Sequence, residues 1–344
     1  MIATYAAALL PLALGTLGAG SKALNTSFET IQPSFKDIIT TNSKIELMAE
    51  NKTYPIAHEA PVYIPSTGEL FVVGNWQTPT GGKPIEVSRI VPRKNGTYVR
   101  EHIHPDIPNA NGAINYKGGI LYCAQGTIER KSALIWMNTT APYETKVILD
   151  NYYGKRFNSL NDLDIASDGA IWFTDPTYGY DQGFTPEPEM PNQVYRYDPE
   201  TGDVRVVADG IGQPNGIAFS PDQKILYVSD TSASYGDRKP ATVYAFDVVT
   251  YSDAPFLTNR RVFAYVANGI PDGVKVDTDG NVYTGCGDGV QVFSPGGVLI
   301  GKVLLPDTSS NLCFGEPGEM FAMNEHRLFK VTLDRSVRGT ILDF

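Results

Sequence analysis

The chain has only three cysteines in 344 residues, Cys123, Cys286 and Cys313. An odd number leaves at least one unpaired within the chain, and no CxxC pair or cysteine–histidine cluster marks a zinc site. All three lie in or beside apolar stretches, where a thiol serves as a small hydrophobe. A Cys286–Cys313 bridge between neighbouring repeats stays open as the alternative. Charge is also sparse. Asp, Glu, Lys and Arg make up 19% of residues, and the formal net charge is −10. Basic patches, which nucleic acids and anionic membranes require, are missing. No GxSxG string occurs, so a serine-hydrolase mechanism lacks its motif. No linker, low-complexity tract or charge block divides the chain.

Long apolar runs are confined to the start. Residues 1–20 carry no charge and hold an apolar core over 6–17. That core is short and interrupted by Pro11, which fits a signal peptide better than a span. Gly18, Ala19 and Gly20 would precede cleavage. No Lys or Arg precedes the core, so a retained anchor is the competing reading. Four Asn-X-Ser/Thr sequons, at Asn25, Asn51, Asn95 and Asn138, agree with export as a glycoprotein. The expected layout is a signal peptide at 1–20, an extension at 21–43 and one domain at 44–344. The expected location is extracellular, with no membrane association after cleavage.

What the chain does have is a pattern repeated six times, each copy opening on a small polar or acidic residue: Glu59, Asn111, Asn161, Asn215, Asp272 and Asn311. Each anchor leads into a short apolar strand, a turn with Gly, Asp, Ser or Pro, and a second apolar strand. Successive anchors are 52, 50, 54, 57 and 39 residues apart. Periods of about 40–50 residues with several strands each mark propeller blades. Apolar residues alternate or run in fours and fives, which is strand rather than helix patterning. Asp168-Gly169 and Asp279-Gly280 supply turn residues that tolerate positive φ. The sequence therefore predicts an all-β, six-bladed β-propeller with a central metal site. The last interval is short, so the stretch 44–49 is expected to return and complete the sixth blade.

A residue at the start of each innermost strand sits at the mouth of a propeller's channel. The six anchors are two carboxylates and four carboxamides, all oxygen donors. That set suits a hard cation such as calcium, and other divalent cations remain open. Asn-Gly and Asp-Gly pairs are also common turn formers, and one alone would mean nothing. Six at equivalent positions, one of them a Glu, favour a shared site.

The segments 158–178 (NSLNDLDIASDGAIWFTDPTY), 213–230 (QPNGIAFSPDQKILYVSD) and 271–292 (PDGVKVDTDGNVYTGCGDGVQV) resemble the gluconolactonase/regucalcin-like family, and most of all the fungal lactonohydrolases. The resemblance covers roughly residues 55–325 and implies a central divalent cation, usually calcium, and hydrolysis of sugar-type or related lactones. By that resemblance Glu59, Asn215 and Asp272 are metal ligands, Asn161 lies beside the metal, and Asp272 is the acid/base. Ser159 stands where regucalcin-like members carry an arginine that helps hold the sugar. A less hydroxylated or more apolar lactone therefore fits at least as well. The cation would polarise the lactone carbonyl, with Asp272 accepting a proton from water and returning it to the leaving alkoxide.

Other residues are weaker candidates. His102 and His104, just before the second anchor, rival Asp272 as base. His58, next to Glu59, should point away if that strand alternates. Tyr178, in a long Pro-rich loop, and Trp76 are candidate substrate walls, and Asn111 should face the same cavity. The reading from a different class is a non-hydrolytic propeller. Its metal would be structural, or its cavity would serve a biosynthetic cyclisation or isomerisation.

Overall fold

The computed structural model describes residues 24–75, 85–236 and 238–340. They form six four-stranded antiparallel sheets, each a consecutive meander except where the chain closes on itself. Blade 1 comprises Glu59–Ile64, Glu69–Val73, Val87–Pro92 and Tyr98–Ile103. Blades 2 to 5 repeat the order from Ala110–Tyr116, Leu163–Ile165, Pro214–Phe219 and Val274–Val276. In blade 6 the outermost strand is Lys44–Glu50, paired with Arg327–Thr332. The stretch before the first repeat thus closes the ring, as strand counting suggested. Ser27–Thr30 adds a fifth strand to the edge of blade 5, and Phe35 is buried beside it.

The first strand of each blade touches the first strand of the next, round a complete ring. These six strands line the central channel. Each blade sheet is covered on both faces by its neighbours, so its second strand is buried beyond at most its first residue and reads as an apolar run rather than an alternation. Ile171–Asp175 and Val282–Cys286 are buried at every position. The core is accordingly divided into clusters between blades, such as Phe157, Phe173 and Tyr195 between blades 2 and 3. All three cysteines are buried and free, so no Cys286–Cys313 bridge forms. No helix among the described residues is long and apolar enough to cross a membrane.

The glycines after the anchors turn out not to be turn glycines. Gly169 and Gly280 do hold positive φ in hairpins, at 83° and 84°. Gly112 and Gly216 instead face the backbone of a neighbouring innermost strand, and Gly273 the Asn311 side chain, at distances no side chain tolerates. A Cβ on Gly216 would lie 2.5 Å from both the Asp272 carbonyl oxygen and the Val274 nitrogen. One on Gly112 would lie 2.4 Å from the Asn161 carbonyl oxygen, to which the Gly112 N–H donates at 2.7 Å. Glycine here permits close backbone approach.

Gly216→Ala should therefore push the innermost strands of blades 4 and 5 apart and cost about 1–3 kcal/mol. Chemical denaturation of that variant beside Gly118→Ala, an exposed positive-φ hairpin glycine with nothing near its missing Cβ, checks this. An equal or smaller loss at Gly216 would contradict the close-approach reading.

Candidate active site

The ends of the innermost strands carry β-bulges. In blade 1, Glu59 faces Val73 but Val62 faces Phe71, so one residue is extra, and Ala60 takes a φ of 50°. The same slip occurs between Ala110 and Ala113 and between Pro214 and Ile217. A bulge re-aims the side chains beside it. Here it turns Glu59, Asn111 and Asn215 towards the axis. His58 lies in the bend before this strand, outside its alternation, and His58 and Glu59 both line the channel mouth instead of pointing apart.

The mouth is a polar cavity of about 220 Å³, walled by Glu59, Asn111, Asn161, Asn215 and Asp272 from five blades. The sixth anchor, Asn311, sits behind them and donates its Nδ2 to Glu59 Oε2 at 2.6 Å. Tyr178 also lines the cavity, its hydroxyl accepting from Asn215 Nδ2 at 3.1 Å. That bond fixes the Asn215 amide with its oxygen towards the cavity. Three buried oxygens, Asn161 Oδ1, Asn215 Oδ1 and Asp272 Oδ1, have no hydrogen-bond partner. Unpaired buried acceptors are costly, and a cation is the partner that several convergent acceptors share. Among the described residues no three carboxylates, imidazoles or thiolates gather into a metal-binding cluster. The donor set is two carboxylates with carboxamides, and it fits a hard cation on its oxygen chemistry.

The electrostatics point the same way. Burial, then the Asp272 charge, push Glu59 from 4.5 up to about 8. Burial likewise raises Asp272 from 3.8 to about 7, against the opposing pull of His58. His58 Nδ1 lies 2.6 Å from Glu325 Oε1, and Asn75 Nδ2 donates to Glu325 Oε2 at 3.1 Å. Burial would lower the His58 pKa, but Glu325 and then Glu59 and Asp272 raise it to about 10. Below the cavity, Lys275 Nζ meets the buried Asp162 Oδ2 at 3.2 Å. Beyond that pair the channel continues into a smaller apolar cavity of about 80 Å³, lined by residues such as Val62, Ile114 and Ile217. It has no comparable gathering of unpaired oxygens.

Several expectations need revision. His102 lies on the outermost strand of blade 1, its ring tilted against that of His104 with centroids 4.2 Å apart, and neither lines the mouth. The fourth strand of a blade is farthest from the axis, so His102, and His104 just beyond its end, lie away from the mouth where a base would act. The long loop after Asp175 begins with a short helix, Tyr178–Asp181. Trp76 lies outside the described residues. The sequence reading missed Glu325, Asn75, Gln125 and Tyr235. Of these, Glu325 had a signal, since it follows the second strand of the sixth repeat at its channel-mouth end.

Six blades round a plugged channel, with an oxygen-donor cluster at one mouth, define the class of propeller that holds its chemistry on the axis. The chain belongs to the SMP-30/Gluconolactonase/LRE-like family, whose model matches residues 59–322. It is 33% identical over 321 residues to Lactonohydrolase oryL of Aspergillus oryzae, covering 86% of this chain and 71% of that protein. It is 34% identical over 199 residues to a gluconolactonase of Zymomonas mobilis, covering 55% of this chain and 54% of that one. The solved structure of a gluconolactonase from Xanthomonas campestris superposes with a TM-score of 0.70 at 27% identity, covering 93% of this chain and 99% of that one.

The raised carboxylates give a signed pH prediction. Glu59 and Asp272 hold protons in the folded state that the unfolded chain has already released, so metal-free stability should fall as pH rises from about 5 to 8. Calcium should restore the melting temperature, and by more at pH 8 than at pH 5. Thermal melts with calcium and with chelator check this. Glu59→Gln should flatten the chelated profile, and a calcium effect independent of pH would contradict the assignment.

Proposed function

We propose that this protein is a secreted, metal-dependent lactone hydrolase that opens a sugar-type or related lactone to its hydroxy acid. The single observation that carries the reading is the convergence of three unpartnered buried oxygens with the Glu59 carboxylate at the channel mouth. Family membership and the lactonohydrolase and gluconolactonase relatives support the reaction class.

Glu59, Asn161, Asn215 and Asp272 would hold a divalent cation, calcium before others, on oxygen chemistry alone. Bound there, it would supply Lewis acidity to the lactone carbonyl and charge stabilisation to the oxyanion. Asp272 takes the proton of the attacking water and returns it to the leaving alkoxide. Its carboxylate lines the mouth beside the proposed cation, where the attacking water would sit. His58 Nδ1 is already engaged by Glu325 Oε1 at 2.6 Å, and that carboxylate pushes the imidazole pKa up. That favours Asp272 over a histidine as base. Tyr178 and Asn111 wall the cavity and orient the ring of the substrate.

A panel of lactones assayed for acid release, with calcium and with chelator, tests the reading. Activity should vanish on thorough chelation and return with calcium. Asp272→Asn should lower kcat by about a hundredfold to ten-thousandfold. Activity surviving both treatments would sink the mechanism, and no turnover of any lactone would favour the non-hydrolytic alternative.

Export as a glycoprotein is part of the same proposal. The signal-like segment 1–20 lies outside the described residues. Three sequons share one local geometry, in which the Thr hydroxyl donates to the Asn Oδ1: Asn51 at 2.6 Å, Asn95 at 2.7 Å and Asn138 at 3.1 Å. Asn25 and Asn95 are exposed. Protein recovered from the medium of a eukaryotic secretory host should lose mass on treatment with an N-glycosidase. Gln at all four positions should abolish that shift. Unchanged mass in the parent would refute glycosylation.

A further inference from the structure

A second cavity, of about 300 Å³, adjoins the mouth on the same face of the disc, and Tyr235 belongs to both walls. It opens between the segment entering blade 4 and the connection that follows Asp230. Its cationic wall is Arg260 and Lys239. Arg260 is held in place: its guanidinium lies 4.0 Å from the Tyr244 ring centroid and its Nη1 donates to the Gly210 carbonyl at 2.9 Å. Lys239 has no acidic partner among the described residues. The acid in this wall, Asp230, is already saturated. It accepts from Gly212 N at 3.1 Å and from Gln213 N and Ser232 N at 3.0 Å each, and also from the Ser232 hydroxyl at 2.5 Å. Asp181, on the side towards the mouth, accepts from Gln213 Nε2 at 3.0 Å.

The contrast with the rest of the face decides what such a cavity takes. The protein carries a formal charge of −10, and the adjoining mouth is walled by Glu59 and Asp272 with no Lys or Arg among its lining residues. Arg260 and Lys239 give an anionic group side-chain partners in the second cavity that the lining of the mouth, His58 apart, does not offer. A guanidinium fixed by stacking presents its remaining donors as a fork matched to a carboxylate, with little ordering cost left to meet. The position of Tyr235 makes the second cavity an extension of the first, reached by a substituent on the ring rather than by the ring itself.

Resting on the lactonase reading, we propose that this second cavity is a subsite for a carboxylate carried on the substrate's side chain. The preferred substrates are then lactones with a pendant carboxylate, and the products are hydroxy dicarboxylates. The carboxylate pairs with Arg260 and Lys239 while the lactone ring lies over Asp272.

Two lactones with the same ring test this, one with an alkyl side chain and one with a terminal carboxylate on a chain of the same length. The wild type should favour the carboxylated compound in kcat/KM by about tenfold or more, as a charge-assisted bidentate pair warrants. In Lys239→Gln/Arg260→Gln that ratio should collapse towards one, through KM. Arg260→Lys, which keeps the charge but loses the fork, should fall between. No preference in the wild type, or an equal loss on both lactones in the double variant, overturns the subsite while leaving lactone hydrolysis standing. If neither lactone is hydrolysed the lactonase reading fails separately, and calorimetry on the products decides the subsite. The hydroxy dicarboxylate should then bind more tightly than the hydroxy monocarboxylate in the wild type but not in the double variant. Equal binding in the wild type overturns the proposal.

Discussion

The structure depends on how closely six backbones approach one axis. Gly112 and Gly216 give up a side chain so that the next innermost strand can lie against the peptide itself, and Gly273 makes room for the Asn311 carboxamide. Interblade hydrogen bonds then form where side chains would otherwise stand, as from Gly112 N to the Asn161 carbonyl and from Gly273 N to the Ser310 carbonyl, both at 2.7 Å. The residue before each of these glycines is an anchor. The spacing that narrows the channel is therefore the same spacing that crowds Asn111, Asn215 and Asp272 together. Packing and chemistry are not separate requirements at these dipeptides, because loosening the first disperses the second.

Such crowding concentrates charge as well as donors. Glu59, Asp272, Asp162 and Asp164 all lie along the channel, and burial raises Asp164 to about 6 even though it accepts the Phe219 and Ile165 N–H groups. Lys275 opposes them, its pKa raised because Asp162 and Asp164 outweigh the burial that would lower it. The Lys275–Asp162 pair thus closes the channel below the mouth and leaves Glu59 and Asp272 to be neutralised from above. His58 is tied to Glu325 and cannot fully serve both. A divalent cation at the mouth would complete the balance that the protein's own side chains leave open.

The repeat made most of the fold legible. Blade number, the closing strand and the convergence of the anchors all follow from counting, because each blade repeats one supersecondary unit. Two things were hidden. The innermost strand starts only at Glu59, so the alternation expected to turn His58 away does not reach it. Position within a blade also decides distance from the axis, and nothing local to His102 and His104 reveals that the first lies on the fourth strand and the second just beyond its end. Glu325 belongs to a third kind, since its partner His58 is 267 residues away in sequence and the two meet only because the ring closes.

Ser159 shows how one departure from a family pattern reorganises a site. The family resemblance places a sugar-holding arginine there. The buried serine instead donates its hydroxyl to the Pro176 carbonyl at 2.8 Å and accepts from Gly179 N at 2.9 Å, while its own N–H donates to Asp175 at 2.9 Å. These bonds pin the turn that carries Tyr178, and Tyr178 in turn fixes the Asn215 amide. A residue that would have touched substrate has become one that sets a donor of the proposed cation site. The mouth is left without a fixed guanidinium of its own. Arg260, stacked on Tyr244 in the adjoining cavity, is where this face of the propeller keeps one, and a substrate that uses it must reach outward from the axis.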